Sequence, residues 1–584
     1  MIALYYMAQL KMYRKIGNMI NCPLIQMKKI IYGFLILCTA SIRGQVAGTL
    51  AERVYLQTDK QLYLAGELVY LKVFTVTPEK IPISFSKIVY VELLDEANSR
   101  AQVKIELHDG VGQGWMELPL DLNTGHYRLT AYTRFMRNED ETVFFEKNIG
   151  VINTFRPRQI KKDTENFSIT ASEIRDHPTF SLQSDKPLYA NREKGMLKLD
   201  GLPENIHTIS VSIAGKAPFT VEGTNDILQW EKQIPLASAN PSRKYLPEYE
   251  GHIITGKAVS VQSSANPANQ VLHPLLSFPG DKLYLFEGQN DDLNNVSFYT
   301  TNTAGIKEVA TIAYALSENQ FRIDLQTPFI EQHAKKQLPA LRVDSAHLGG
   351  LLERSVALQT LYSYVKDSLA KDRPVDLRFT MEPFQTYILD EWTRFIVMGE
   401  LMIEFINELR FRRNDQQKRE LFLVVQRGDY AAWTRPLVVL DGIPIIDHEI
   451  IYRYNPLLVE RINIYNEEYI FQGMRFDGIV EFWTYDHNYP GLAADPSTQI
   501  VNYAGTQAPR RLYTPDYSNE ENRKSRLPDY RHTLLWEPIL QTKGKSTLEI
   551  PFYTSDYTGK FQATVEGLTK EGEIISATAT FEVR

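Results

Sequence analysis

The stretch Leu56-Gln57-Thr58-Asp59-Lys60-Gln61-Leu62-Tyr63, with Glu67 four residues on, returns as Leu182-Gln183-Ser184-Asp185-Lys186-Pro187-Leu188-Tyr189, with Glu193 four residues on. The copies lie 126 positions apart, about the length of one β-sandwich and a linker. Each sits between strand-like segments. Thr/Ser-Asp-Lys is common turn chemistry, but agreement at the same offsets across the motif argues for repeated β-domains. The side chains of Asp59 and Asp185 suit turns, where a carboxylate accepts backbone N–H groups. A structural role is therefore expected for Asp59, Lys60, Tyr63, Asp185, Lys186 and Tyr189, with function as the alternative.

Composition fits that reading. With 584 residues the chain has room for about four domains. Aromatic residues make up 11%, including 32 Tyr, and Tyr and Phe favour half-buried pleated surfaces. Met27-Lys28-Lys29 precedes the apolar run Ile30–Cys38 and the small residues Thr39, Ala40 and Ser41. That order is the pattern of a signal peptide, so residues 1–44 are expected to be a presequence with a signal peptide, with Met27 as the chain's true start. The run is too short for a comfortable membrane span. Cys38 invites lipidation, but Leu37 stands where a small residue is expected. Cys22 and Cys38 are the chain's two cysteines, so a processed chain would hold no disulfide or zinc-thiolate site. Residues 1–44 hold six basic residues and no acid, so removing them takes the net charge from −7 to −13. Such a chain is a poor nucleic-acid binder, which needs basic faces.

The expected fold class is mainly β: tandem immunoglobulin-like sandwiches with an added α+β domain. Residues 50–153 read as the first sandwich. His126–Tyr132 alternates with the period of a half-buried strand. Asp59-Lys60, Tyr63, Gly66-Glu67, the Val-Tyr-Leu-Lys-Val strand and Gly125-x-Tyr127 together resemble the macroglobulin-like domain of the α2-macroglobulin superfamily. The resemblance implies a fold. It does not imply thioester chemistry, which needs a Cys-Gly-Glu-Gln sequence that is missing here. Residues 160–236 read as a second, divergent sandwich. Residues 245–330, with the Gly280-Asp281 and Asn294-Asn295 turns and the strand Phe321–Leu325, read as a third, similar to the carboxypeptidase regulatory domain. Residues 331–389 read as a helical linker region, helical over 345–372. Over 390–411, Trp392, Phe395, Ile396, Met402, Phe405, Ile406 and Leu409 recur at helical spacing, with Asp390 and Glu391 at the start and Arg410, Arg412 and Arg413 at the end.

Leu437–Ile445 with its Asp441-Gly442 turn, the Pro456–Ile462 strand entry containing Glu460, and the closing strand from Gly478 to Trp483 together make residues 390–485 resemble the plug domain of TonB-dependent receptors. A receptor barrel needs many strands of about 10 residues, and about 100 residues follow the plug-like segment. Residues 490–530 read as a linker. Residues 531–584 read as a C-terminal β-segment able to pair with another domain's edge. The whole resembles a Bacteroidetes-type envelope protein.

Catalytic motifs fail on inspection. Gly544-Lys545-Ser546 lacks the earlier glycine of a phosphate loop. No Gly-x-Ser-x-Gly elbow or His-Glu-x-x-His helix occurs. Asp291-Asp292 lacks the alternating ligands of a calcium loop. No catalytic, cofactor or metal residue is assigned. The expectation is an exported, non-catalytic binding or scaffold protein, periplasmic or associated with the outer membrane. It would have a protein partner in the envelope, such as an outer-membrane barrel, no nucleic acid and no transmembrane span. A hydrolase or hydrolase accessory using carboxylates, and a noncovalent protease inhibitor, are the alternatives.

Overall fold

Strands Arg53–Thr58, Leu68–Val76 and Val111–Glu117 form a three-stranded sheet. It stacks on a five-stranded sheet ordered Leu62–Leu64, Phe145–Ile152, Gly125–Thr133, Ile88–Asp95 and Asn98–Glu106. Alternate residues such as Leu71 and Val73 enter the core between the sheets. All pairings are antiparallel except Leu62–Leu64, which runs parallel to Phe145–Ile152. The computed structural model describes residues 50–156, 162–163, 180–218, 221–238, 241–242, 244–261, 272–315, 321–344, 347–364, 382–427, 430–471 and 474–584. The expected presequence with Met27 and Cys38, most of 157–179 and both ends of the expected 345–372 helix lie outside them. No helix among the described residues is long and apolar enough to cross a membrane. The elements of the fold lie in one unit, residues 51–236 and 240–584.

The second sandwich repeats this plan but is discontinuous. Its three-stranded sheet takes Ser181–Ser184 and Lys194–Asp200 from one part of the chain and Thr547–Tyr553 from another. Its five-stranded sheet is ordered Leu188–Tyr189, Ile574–Val583, Gly559–Thr569, Ile206–Gly215 and Thr533–Glu537. Leu188–Tyr189 again pairs parallel to the last strand. The sandwich expected within 160–236 therefore needs correction. Four of its strands come from the N-terminal half and four from the C-terminal segment. The reason is the hydrophobic core: Leu197, Ile209 and Val211 are covered by Phe552, Phe561, Val565 and Phe581. In the first sandwich a tight turn joins the fourth and fifth strands; in the second, residues 216–532 are inserted there.

The insertion folds as two further units. Strands His252–Ser260, Asn295–Thr300, Leu285–Asn290, Leu272–Ser277, Glu308–Ala315 and Phe321–Leu325 pair in a closed ring. Thr498–Asn502, from the segment read as a linker, adds to Glu308–Ala315 and corrects that reading. In the α+β unit, Gln385–Ile388, Val459–Phe471, Met474–Thr484, Leu437–Leu440 and Ile443–Pro444 form one sheet. Leu409–Arg413, Arg419–Arg427 and Tyr430–Thr434 form a second. Helices Met398–Phe405 and His448–Arg453 share the core with these sheets.

The helix expected over 390–411 is thus shorter. The chain leaves the helix at Ile406, and Leu409–Arg413 pairs with Arg419–Arg427 through a turn closed by the Asn414 and Lys418 backbones. Sheet pairing outweighs helical periodicity there. Trp392 and Ile396 lie before the helix, at 39% and 87% exposure. Phe405 is half-buried against Trp392 and Phe395, while Leu440 is fully buried. Helix Leu348–Tyr364, expected in a linker, instead docks on the first sandwich. Leu351 packs with Leu62, Leu64 and Ile152, and Arg354 pairs with Glu67 at 2.7 Å.

Candidate functional site

The repeated motif is a corner at which the chain leaves one sheet for the other. The Asp59 carboxylate accepts from the Tyr63 hydroxyl at 2.8 Å and the Tyr70 N–H at 3.1 Å. Asp185 accepts from the Tyr189 hydroxyl at 2.7 Å and the Met196 N–H at 2.6 Å. Glu67 and Glu193 accept the N–H groups of Leu64 and Ala190. The lysines complete each corner: Lys60 lies 3.6 Å from Glu67, and Lys186 is bonded to Glu193. The geometry is that of turn closure. The corners are separate and differ in setting: Asp185 is exposed, whereas Asp59 is 4% exposed and also accepts from Thr533 at 2.7 Å.

Thr533 belongs to the second sandwich, so the first corner is part of the interface between the sandwiches. Ser212 donates to the Asp59 carbonyl at 2.7 Å, and Tyr55 donates to Glu566 at 2.8 Å. Strand Leu68–Val76 is consequently covered on both faces, and Lys72 is buried with it. Its Nζ has no hydrogen-bond partner, and burial pushes its pKa down to about 7. Burial pushes the Glu566 carboxyl up. The strand ring is tied in similarly. Glu248, 1% exposed, accepts from Tyr90 at 2.9 Å and the Ile253 N–H at 2.8 Å, and its Oε1 lies 2.9 Å from His252 Nδ1.

Where the two sandwiches and the ring meet, they enclose a cleft of about 480 Å³. Three local backbone features build its wall. Asp109 and Gly110, at φ of +51° and +77°, form a two-residue hairpin turn closed by His108 and Val111. His207 is the extra residue of a β-bulge: Ile206 pairs with Thr569 and Thr208 with Leu568, leaving His207 opposite no residue. Asn302 takes the left-handed conformation, φ +57°, which Asn tolerates. Glu106, Gln113, Tyr284, Gln507 and Gln541 also line the cleft. His207 Nε2 and Thr208 Oγ1 are buried without a hydrogen-bond partner within the protein. Burial, and then the charge of Lys72, push the His207 pKa down, which favours neutral imidazole.

The cleft residues were missed in the sequence. Asp109-Gly110 is a readable hairpin signal, but nothing local shows that this turn meets His207 and Gln541. The plug-like signature residues lie elsewhere. Asp441 and Gly442 form a turn at φ of +46° and +81°. Asp441 is fully buried and accepts from the Thr484 N–H at 2.8 Å and the Tyr489 N–H at 2.7 Å. A Cβ on Gly442 would sit 2.8 Å from the Phe278 carbonyl, so glycine allows this turn to touch the strand ring. Gly478, at φ +100°, passes against Leu423. Glu460 pairs with neighbouring Arg461. These contacts account for turn closure and packing. Among the described residues no cluster of three His, Cys, Asp or Glu could hold a metal ion.

No protein-family model and no curated protein matches the chain. Solved structures similar to it include Salmonella alpha-2-macroglobulin reacted with methylamine, at 9% identity and a TM-score of 0.15, over 92% of this chain and 24% of that one. Escherichia coli alpha-2-macroglobulin activated by porcine elastase is 11% identical at a TM-score of 0.22, over 91% of this chain and 44% of that one. Dimeric latent PorU from Porphyromonas gingivalis is 10% identical at a TM-score of 0.16, over 47% of this chain and 34% of that one. The chain spans less than half the length of the alpha-2-macroglobulins it matches. A likeness at this level says nothing of activity.

Proposed function

We propose that this chain is a noncovalent binding and scaffold protein of a Gram-negative envelope, exported and held in the periplasm or at the outer membrane. The observation that carries the proposal is the junction cleft. Its walls come from both sandwiches and the strand ring, and the discontinuous second sandwich holds these units together. A cleft fixed in this way is preorganised and loses little entropy on binding. Export is supported by Lys28-Lys29 before a short apolar run. The outer-membrane context is supported by the plug-like signature, whose three segments share one sheet in the α+β unit. In this reading that unit meets a barrel partner, and the assembly supports uptake of an oligomeric nutrient.

Fractionation of native cells, with mass spectrometry of the mature N-terminus, tests the localisation. An intact residue-1 start on a cytoplasmic protein would overturn it. A hydrolase and protease-inhibition screen on purified protein tests the binding class. No turnover and no inhibition is the expected result, and turnover lost on substituting Glu106 or Asp109 would make the cleft an enzyme site.

A further inference from the structure

Resting on the binding reading above, we infer that the junction cleft is a site for a neutral carbohydrate. The lining chemistry sets the class. Gln113, Asn302 and Gln541 contribute amides, a group with donor and acceptor capacity suited to hydroxyls, and Gln507, whose Oε1 accepts the Trp115 N–H, adds its NH2 donor. Glu106 and Asp109 add carboxylates, which accept from hydroxyls and repel anions. Among the described residues no Lys or Arg lines the cleft. Val111, Tyr284, Pro509 and Ile539 supply the apolar surface that the C–H face of a sugar ring needs.

Two unmet groups favour a hydroxylated ligand. His207 Nε2 and Thr208 Oγ1 are adjacent in sequence, buried and unpartnered, and both residues line the cleft. Both atoms are closed to solvent in the free chain, so a sugar hydroxyl pairs with the neutral imidazole or the threonine hydroxyl once these side chains turn toward the cleft. Buried polar groups are rarely left unpaired, and a ligand that pairs both gains accordingly. The bulge at His207 gives this arrangement a structural cause, since bulges re-aim side chains beside functional sites.

An extended peptide fits less well. Peptides dock by adding to an open strand edge. The lining strand Val111–Glu117 has its outer edge interrupted at Trp115, whose N–H donates to Gln507 at 2.8 Å and whose indole donates to the Ala508 carbonyl at 3.3 Å. The cleft is also in the ordinary size range of small-ligand sites, about 300–1,000 Å³.

The experiment is a neutral-oligosaccharide array with the purified full chain, followed by calorimetric titration of the strongest saccharide. A sulfated saccharide and a tripeptide library serve as comparison probes. Stoichiometric binding of a neutral saccharide is expected, weakened about tenfold, or ~1.4 kcal/mol, by Gln541→Ala and more by His207→Phe. Gln541 is exposed, so its variant tests the site without a folding penalty. Absence of neutral-saccharide binding, or binding unchanged in both variants, overturns the inference. Peptide or sulfated-saccharide binding abolished by both variants also overturns it, while leaving the cleft a binding site. Failure of every probe at the cleft counts against the binding reading itself.

Discussion

Alanine in place of Asp59 and of Asp185 separates the two settings of one motif. Asp59 loses bonds from Tyr63, Tyr70 and Thr533, all at 2.7–3.1 Å and all buried. Bonds to a charged acceptor are worth about 1.5–3 kcal/mol each, but they do not add, and the stranded donors keep some alternatives: Tyr63 also lies 2.9 Å from the Lys60 carbonyl. A loss of about 3–5 kcal/mol is expected for Asp59→Ala, the range for breaking a buried charged contact. Asp185 is exposed and accepts two bonds, so water replaces part of what is lost and about 1–2 kcal/mol is expected. Urea denaturation followed by tryptophan fluorescence reads both. A cycle with Thr533→Val adds the link between the sandwiches, where a coupling of about 0.5–3 kcal/mol is expected with Asp59 and none with Asp185. Equal losses at the two positions, or no coupling to Thr533, would refute the interface role of the first corner. Lost ligand binding at unchanged stability would make the aspartates functional instead.

Four further outcomes follow from the packing. Lys72, with its pKa pushed down to about 7 from an ordinary 10.5, binds fewer protons folded than unfolded between those values. Stability should therefore rise with pH across that window, and Lys72→Met should flatten the rise in denaturation curves taken from pH 6 to 10. His448, held down at about 4 by burial and then by Arg435, accepts from the Leu421 N–H at 2.9 Å. The α+β unit should lose stability as pH falls from 6.5 towards 4, seen as exchange-rate gains confined to 385–484 in hydrogen exchange. Phe405→Ala should cost about 1–2 kcal/mol, because the ring is half-buried, and Leu440→Ala about 2–5 kcal/mol, because its side chain is fully buried; calorimetry would separate them. Truncation after residue 530 should unfold the second sandwich, exposing Leu197, Ile209 and Val211 to a hydrophobic dye, while a truncated chain that bound no dye would contradict the discontinuous sheets.

Much of the local structure was legible in the residues. The Asp59 and Asp185 corners, the mainly β character, the strand Leu437–Leu440, buried from Val438 on, and the Asp441-Gly442 turn follow from short-range chemistry: turn carboxylates, period-two alternation and glycine at positive φ. The helix expected over 390–411 shows the limit of that chemistry. Its apolar spacing is helical throughout, but Leu409–Arg413 gains a strand partner in Arg419–Arg427.

What the chain alone determined was the kind of element most segments form, because that depends largely on neighbours a few positions away. Only the tertiary structure decided which strands share a sheet and what the sheets enclose. Ile206–Gly215 and Gly559–Thr569 pair across the whole insertion in one sheet, and the apolar face they share is covered by the three-stranded sheet that carries Leu197 and Phe552. The same closure brings the Asp109 turn, the His207 bulge and Gln541 to one cleft. No periodicity or spacing encodes that meeting, because it is set by long-range packing of faces rather than by the order of residues along any one strand.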